Sequence, residues 1–290
     1  MSPDREWRFI AEEAREGAVQ MALDEVAAET VSEGGRPVVR VYRWDPSTLT
    51  LGYNQSAETV AWDYCARHGI DVTRRQTGGG GIYHDATGDI SYSIVAPADA
   101  VPGDLLASYE LLCEPILAAL EHLGVNAAFA TREHEAVHRP ACYLRAVNPA
   151  HDILAGGRKI SGNAQYRQRD AVVQHGSVTF ARRPAHHLGV FRADLTAETF
   201  RDRVTSIREA VDSVGESTDP SGEGGDAPGE GTDPSRATAV QAIEDALFEW
   251  ACPAERTGWT DRELDRATEL AAQKYDAESW IREGVDPTTE

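Results

Sequence analysis

Apolar residues recur at the helical period through Ala18-Val19-Gln20-Met21-Ala22-Leu23-Asp24-Glu25-Val26, within the segment Trp7 to Glu29, and predict an amphipathic helix that Gly34, Gly35 and Pro37 bring to an end. Val38 to Trp44 is β-branched and aromatic. With Asp45-Pro46-Ser47 as a turn and Thr48 to Tyr53 as a second run, it predicts a β-hairpin. Glu58 to His68 reads as a short helix closed by Gly69 at C′, and Gly88 to Val95 as a strand. Leu105 to Leu123 carries Leu105, Leu106, Tyr109, Leu112, Ile116, Leu117 and Leu120 at helical spacing, with Gly124 as its stop. Val125 to Ala130 reads as a strand. Ile153 to Ile160 is a strand, a glycine turn and a second strand, and Val172-Val173 and Val178-Thr179-Phe180 are strands on either side of Gln174-His175-Gly176-Ser177. Leu195 to Val211, Ala237 to Trp250 and Asp261 to Lys274 turn helical, with Trp280 as an anchor for the last segment.

Hairpins rather than regular βαβ crossovers join these strands. The expected class is α+β, a mixed β-sheet flanked by helices with a small C-terminal helical appendage. Residues 1–212 form the main domain, 213–235 an acidic disordered loop rich in Gly, Ser, Pro, Asp and Glu, and 236–290 a helical C-terminal segment.

Composition narrows the class. No apolar run approaches the roughly 20 residues of a membrane span, and the N-terminus turns acidic without a signal-peptide core, so the expectation is a soluble, cytoplasmic protein with no membrane partner. A formal charge of −20 argues against nucleic-acid binding, which needs basic surface. That acidity, with only two lysines, Lys159 and Lys274, is what a salt-rich cytoplasm favours, and it predicts a halophilic source. Cys65, Cys113, Cys142 and Cys252 are scattered without a C-x-x-C pair, which disfavours disulfides and structural zinc.

Candidate chemistry concentrates in two places. In Arg74-Arg75-Gln76-Thr77-Gly78-Gly79-Gly80-Gly81-Ile82-Tyr83-His84-Asp85, four consecutive glycines cost backbone entropy, so something must approach that backbone closely. Glycine amides flanked by two arginines and a histidine suit a phosphate or carboxylate, although the run is neither a G-x-G-x-x-G fingerprint nor a P-loop. The second place is Gly156-Gly157-Arg158-Lys159-Ile160-Ser161-Gly162-Asn163-Ala164-Gln165, a glycine-punctuated hairpin that carries Lys159 near its tip. His134, His138 and Cys142 fall at intervals of four, but Pro140 breaks any helix that would align them as metal ligands, so no metal site is expected. Cys142 stands in a loop where a nucleophile can be presented, while a small core hydrophobe is the commoner role of a lone cysteine. His186-His187 has no acidic or cysteine companion nearby and reads as surface.

These two motifs, with Leu51-Gly52-Tyr53-Asn54-Gln55, Met21-Ala22-Leu23-Asp24-Glu25 and the ending Lys274-Tyr275-Asp276-Ala277-Glu278-Ser279-Trp280, resemble the lipoate-protein ligase and octanoyltransferase family, related to the biotin-protein ligases. The resemblance implies that residues 1–212 are a catalytic domain attaching a lipoyl or octanoyl group to a lysine of a lipoyl carrier domain. The implied carriers are E2 subunits of 2-oxoacid dehydrogenases and the glycine cleavage H protein. It further implies that Lys159 is the essential lysine, and that Arg74, Arg75, Gly78, Gly79, Gly80, Gly81, His84, Gly162 and Asn163 line the acyl and ATP site, with Asp152 near magnesium or the nucleotide. A compact ammonium at the reacting carbonyl fits acyl transfer. Within the family, the glycine loop resembles ligases that use ATP and Mg²⁺ to activate lipoate or octanoate as an acyl adenylate. Ala141-Cys142-Tyr143 resembles the octanoyltransferases, which carry the acyl chain on a cysteine without a cofactor. The loop match involves several residues and the cysteine match one, which favours the ligase. A biotin-protein ligase fits the Arg-Arg-Gln-Thr-Gly-Gly-Gly run less well, and retention of Lys159 argues against a non-catalytic acyl-binding protein.

Overall fold

The computed structural model describes residues 5–148, 151–215 and 234–289. Its strands are β1 (Trp7–Arg15), β2 (Val38–Trp44), β3 (Thr48–Leu51), β4 (Asp71–Arg74), β5 (Ile82–His84), β6 (Asp89–Pro97), β7 (Ala127–Phe129), β8 (Asp152–Ala155), β9 (Arg158–Gln168), β10 (Ala171–Thr179) and β11 (Ala254–Arg256). The helices are α1 (Gly17–Ser32), α2 (Trp62–Arg67), α3 (Leu105–His122), α4 (Pro184–Gly189), α5 (Ala197–Arg203), α6 (Ile207–Gly215), α7 (Arg236–Trp250) and α8 (Asp261–Leu270). Eight strands form one mixed sheet in the order β11-β1-β2-β6-β10-β9-β8-β7, and β4-β3-β5 form a second, smaller one. This is the expected α+β class.

Strand β2 shows why helices flank the large sheet. Its side chains alternate, sending Val39 and Val41 into a core with Leu112, Ile116 and Leu120 of α3 and Ile243 and Leu247 of α7. Val38, Tyr42 and Trp44 point the other way, toward α1 and α8. Helix α1, the expected helix, lies between sheet and α8 and is therefore buried on most of its circumference rather than on one face.

Three further expectations need correction. Val38–Trp44 and Thr48–Leu51 are not a hairpin, because the intervening turn hands the chain from the large sheet to the small one. The two short strands expected around Gln174-His175-Gly176-Ser177 are one continuous β10, paired with β6 and β9 along its length. Helix from Leu195 to Val211 is interrupted between Val204 and Ser206, leaving α5 and α6. The acidic stretch lies largely outside the described residues, which omit 216–233.

The C-terminal helices bind the body of the protein. α7 packs with α3, β11 extends the large sheet in parallel beside β1, and Trp280 is buried with its indole N–H donating to the Arg74 carbonyl at 2.8 Å. Lys274 is buried too, paired with Glu25 at 3.0 Å and Asp286 at 2.6 Å. Both lysines of the chain are thus internal, and its surface cations are arginines.

Candidate active site

Strands β8 and β9 deliver Lys159. Gly156 and Gly157 join them with φ of +55° and +76°, a left-handed turn that glycine adopts without steric cost. The pairing slips just after it: Ile153 faces Ser161 while Leu154 faces Lys159, so Ile160 is an extra residue and the bulge re-aims the strand. The Lys159 ammonium is buried, 2.5 Å from Asp152 Oδ1 and 3.6 Å from Cys142 Sγ. Burial opposes its charge, but Cys142 and Asp152 outweigh burial and hold it above the usual lysine value. Gly162 makes room for this cluster, since a Cβ there would stand 3.1 Å from Lys159 Nζ and 3.8 Å from Cys142 Sγ.

The glycine run delivers the cysteine. Gly81 donates its N–H to the Pro140 carbonyl at 2.6 Å, and its own carbonyl accepts from Cys142 N at 2.8 Å. A Cβ on Gly80 would meet the Pro140 carbonyl oxygen at 2.7 Å and the Arg139 carbonyl oxygen at 2.9 Å. What approaches this backbone is therefore the chain's own cysteine loop. The loop is pinned again beyond the turn, where Tyr143 donates its hydroxyl to the His187 carbonyl at 2.6 Å.

Lys159, Cys142, Asp152, Gly162, Asn163, Arg75, Gly78, Gly79 and His84 all line one cavity of about 470 Å³, within the range of small-molecule sites. Gly80 and Gly81 are not part of its lining. Of the series His134, His138 and Cys142, only Cys142 reaches it. Met21, Tyr42, Trp44, Ile82 and Tyr109 supply an apolar and aromatic lining.

The two arginines differ from expectation. Arg74 is outside the cavity and donates to the carbonyls of Gly52, Tyr53, Gln55, Trp280 and Ile281, a strut between the small sheet and the C-terminal segment. Arg75 faces the cavity, yet its guanidinium donates to Thr77 Oγ1 and the carbonyls of Thr50, Gly78 and Gly80, holding the glycine loop in shape. Burial pulls it down to about 10, against the attraction of Cys142. Asp152, for its part, is committed to Lys159 and to the Asn148 amide at 2.9 Å. The two arginines spend their N–H groups on the protein itself and Asp152 is ion-paired to Lys159, which does not fit their expected role of holding a nucleotide phosphate or magnesium.

Sequence reasoning missed His175. It sits in mid-strand on β10, faces the cavity, and joins Asp24 on α1 at 3.1 Å to Thr77 Oγ1 at 2.8 Å. His84 repeats the arrangement between Asp89 at 2.6 Å and Thr50 Oγ1 at 3.1 Å. A polar residue at an inward strand position was the available signal for His175, masked by splitting β10 in two. His187 is also misread as surface: it is 7% exposed, packed between Tyr143 and Phe200.

A large mixed sheet carrying a lysine hairpin, beside a small sheet whose glycine loop faces the same cavity, has the architecture of the lipoate-protein ligases. The chain aligns with lipoate-protein ligase A bound with ATP at a TM-score of 0.74 and 23% identity, over 97% of this chain and 100% of the other. It aligns with the bipartite lipoate protein ligase of Thermoplasma acidophilum at 0.74 and 22%, over 99% and 100%. Residues 16–220 match the lipoyl protein ligase A/B catalytic domain, and the chain belongs to that family. Among curated relatives, the octanoyltransferase LipM of Geobacillus kaustophilus is 36% identical over 59% of this chain and 64% of its own length. LipM of Brevibacillus brevis is 32% identical over 60% and 65%, and LipM of Anoxybacillus flavithermus 28% over 94% and 97%. The chain thus spans just under two thirds of the length of the first two relatives.

Proposed function

We propose that this protein is an octanoyltransferase that moves an octanoyl group from an acyl carrier protein thioester, through Cys142, to a lysine of a lipoyl domain, without ATP. The observation that carries the reading is Cys142 Sγ at 3.6 Å from a charged Lys159, at an acyl-sized cavity. Relatives named octanoyltransferase LipM support the same choice.

In this reading the Cys142 thiolate attacks the thioester carbonyl, the carbon–sulfur bond to the carrier breaks, and the carrier leaves as a thiol. The acceptor lysine's amine then attacks the Cys142 thioester, forming the amide and returning the thiol. Each tetrahedral intermediate carries an oxyanion, and the Lys159 ammonium offsets it. Asp152 keeps the ammonium charged and oriented. The aromatic lining shelters the acyl tail from water, and the acceptors are the lipoyl domains of 2-oxoacid dehydrogenase E2 subunits and the H protein. The fold is shared with a ligase bound to ATP, but no step here runs through a nucleotide, because Arg74, Arg75 and Asp152 spend their polar atoms on the protein itself.

The direct test is intact-protein mass spectrometry after mixing the enzyme with octanoyl carrier protein alone. The expected result is one octanoyl increment, mapped to Cys142 and absent from Cys142→Ser; an unmodified wild-type enzyme that still octanoylates a lipoyl domain would refute the cysteine route.

A further inference from the structure

The charged groups at the acyl cavity divide into those that have partners and those that do not. Asp152 and Lys159 pair with each other, and Arg75 is spent on the glycine loop. Arg145 and Glu133 also line the cavity, and both are exposed. Among the described residues neither of these two side chains has a hydrogen bond or an ion pair. Backbone contacts set where Arg145 stands. It follows the short turn Cys142–Leu144, its N–H donates to the Cys142 carbonyl at 3.4 Å, and its own carbonyl accepts from the Arg203 guanidinium at 3.3 Å. Its guanidinium lies over the glycine loop, 3.7 Å from where a Cβ on Gly79 would stand. Burial lowers Arg75 and His151, and the charge of Arg145 adds to both shifts. A guanidinium offers five donors in a fork that matches a planar anion, so at the exposed edge of a reaction cavity it is arranged for an anion that arrives with a substrate.

Reach decides which substrate. The acceptor amine must attack the carbonyl carried on Cys142, so the segment that bears it passes within one lysine side chain of the sulfur. Arg145 is three residues beyond Cys142 and has a stem of similar length, so it covers the same span. A carrier thioester instead arrives on a prosthetic arm several times longer, which keeps the carrier's own charges farther out. Glu133, at the same edge, has the opposite sign. The edge therefore suits a segment that brings a carboxylate and an ammonium together.

We propose that Arg145 is a specificity-determining residue for the acceptor: it takes a carboxylate on the segment that carries the acceptor lysine, and so selects lysines with acidic neighbours. The proposal rests on the transferase reading above. No covalent bond changes at Arg145; the ion pair forms as the acceptor domain docks, and it aims the amine at the Cys142 thioester.

The test uses two forms of one lipoyl domain, the first with carboxylates flanking the acceptor lysine and the second with those carboxylates changed to amides. In a double-displacement reaction, kcat/KM for the acceptor reports the second half-reaction alone, so any change in Cys142 acylation cancels from the ratio of the two domains. Wild type should favour the acid-flanked domain about fivefold at about 0.1 M salt, the upper value of a solvent-exposed ion pair, and the preference should shrink as salt rises. In Arg145→Gln it should fall to about twofold or less, Arg145→Lys should retain part of it, and Arg145→Glu should reverse it. A wild-type enzyme that does not discriminate overturns the proposal, as does a loss in Arg145→Gln that is equal for both domains and leaves the ratio unchanged. Equilibrium binding of the two domains to the unacylated enzyme needs no donor and should show the same preference and the same loss. Discrimination in binding without any octanoyl transfer would count against the transferase reading alone.

Discussion

In the proposed transfer Lys159 and Cys142 work as a pair only because a third residue fixes the first. Asp152 and Lys159 are both buried and 2.5 Å apart, so removing either leaves an uncompensated internal charge. Asp152→Ala is expected to lower unfolding stability by about 3–5 kcal/mol in urea titration. Lys159→Ala loses the charge opposite the oxyanion, and transfer kcat should fall by about 10²–10³-fold with little change in donor KM. The conspicuous lysine was legible from the sequence because arginine fills nearly every other basic position. Its partners were legible only as neighbours along the chain. That the Asp152 carboxylate faces Lys159 rather than a nucleotide depends on the β8–β9 register, and one slipped pair decides it. The same limit applied to Arg74 and Arg75, since an arginine beside glycines has the same appearance whether it awaits a phosphate or braces carbonyls.

The glycine loop, the cysteine loop and the C-terminal segment work as connected elements. Gly80→Ala would force the Pro140–Cys142 backbone outward, because its Cβ would sit 2.7–2.9 Å from carbonyl oxygens and an amide that cannot swing aside. Displacing the nucleophile by about 1 Å costs roughly 10²-fold in rate. Single-turnover acylation of Gly80→Ala should fall by about that factor while circular dichroism stays native. The C-terminal segment reaches the same region through Trp280 and Arg74, which exchange hydrogen bonds at 2.8 Å in both directions. Trp280→Ala should cost about 3–5 kcal/mol of stability, read as a lower urea midpoint. Periodicity located α3, α7, α8 and the β8–β9 hairpin well, because each has a clear pattern bounded by glycine or a cap. It failed where burial erases contrast: β1 precedes α1 without a break that the pattern marks, and Gly176 inside β10 looked like a turn although it makes room for Asn163 and Tyr92.

Over the whole molecule, buried neutral histidines tie stability to pH. Burial lowers His187 to about 3, and His84 and His151 shift the same way. Below about pH 6.5 the unfolded chain takes up protons on these rings that the folded chain refuses, so stability falls as pH falls from there toward 3. Each such group contributes a slope of at most about 1.4 kcal/mol per pH unit. His187→Phe should flatten the measured dependence by that amount. A net charge of −20 adds self-repulsion that salt screens, so the melting temperature should rise with potassium chloride. Neither effect bears on the proposed passage of the acyl group through Cys142. The measurement that tests it most directly is mass spectrometry of a lipoyl domain incubated with octanoyl carrier protein, with and without ATP and magnesium, for wild type and Cys142→Ala. The expected result is octanoylation of one lysine by the wild type without ATP, and a loss of about a thousandfold or more in Cys142→Ala. Modification that requires ATP and survives Cys142→Ala would contradict it.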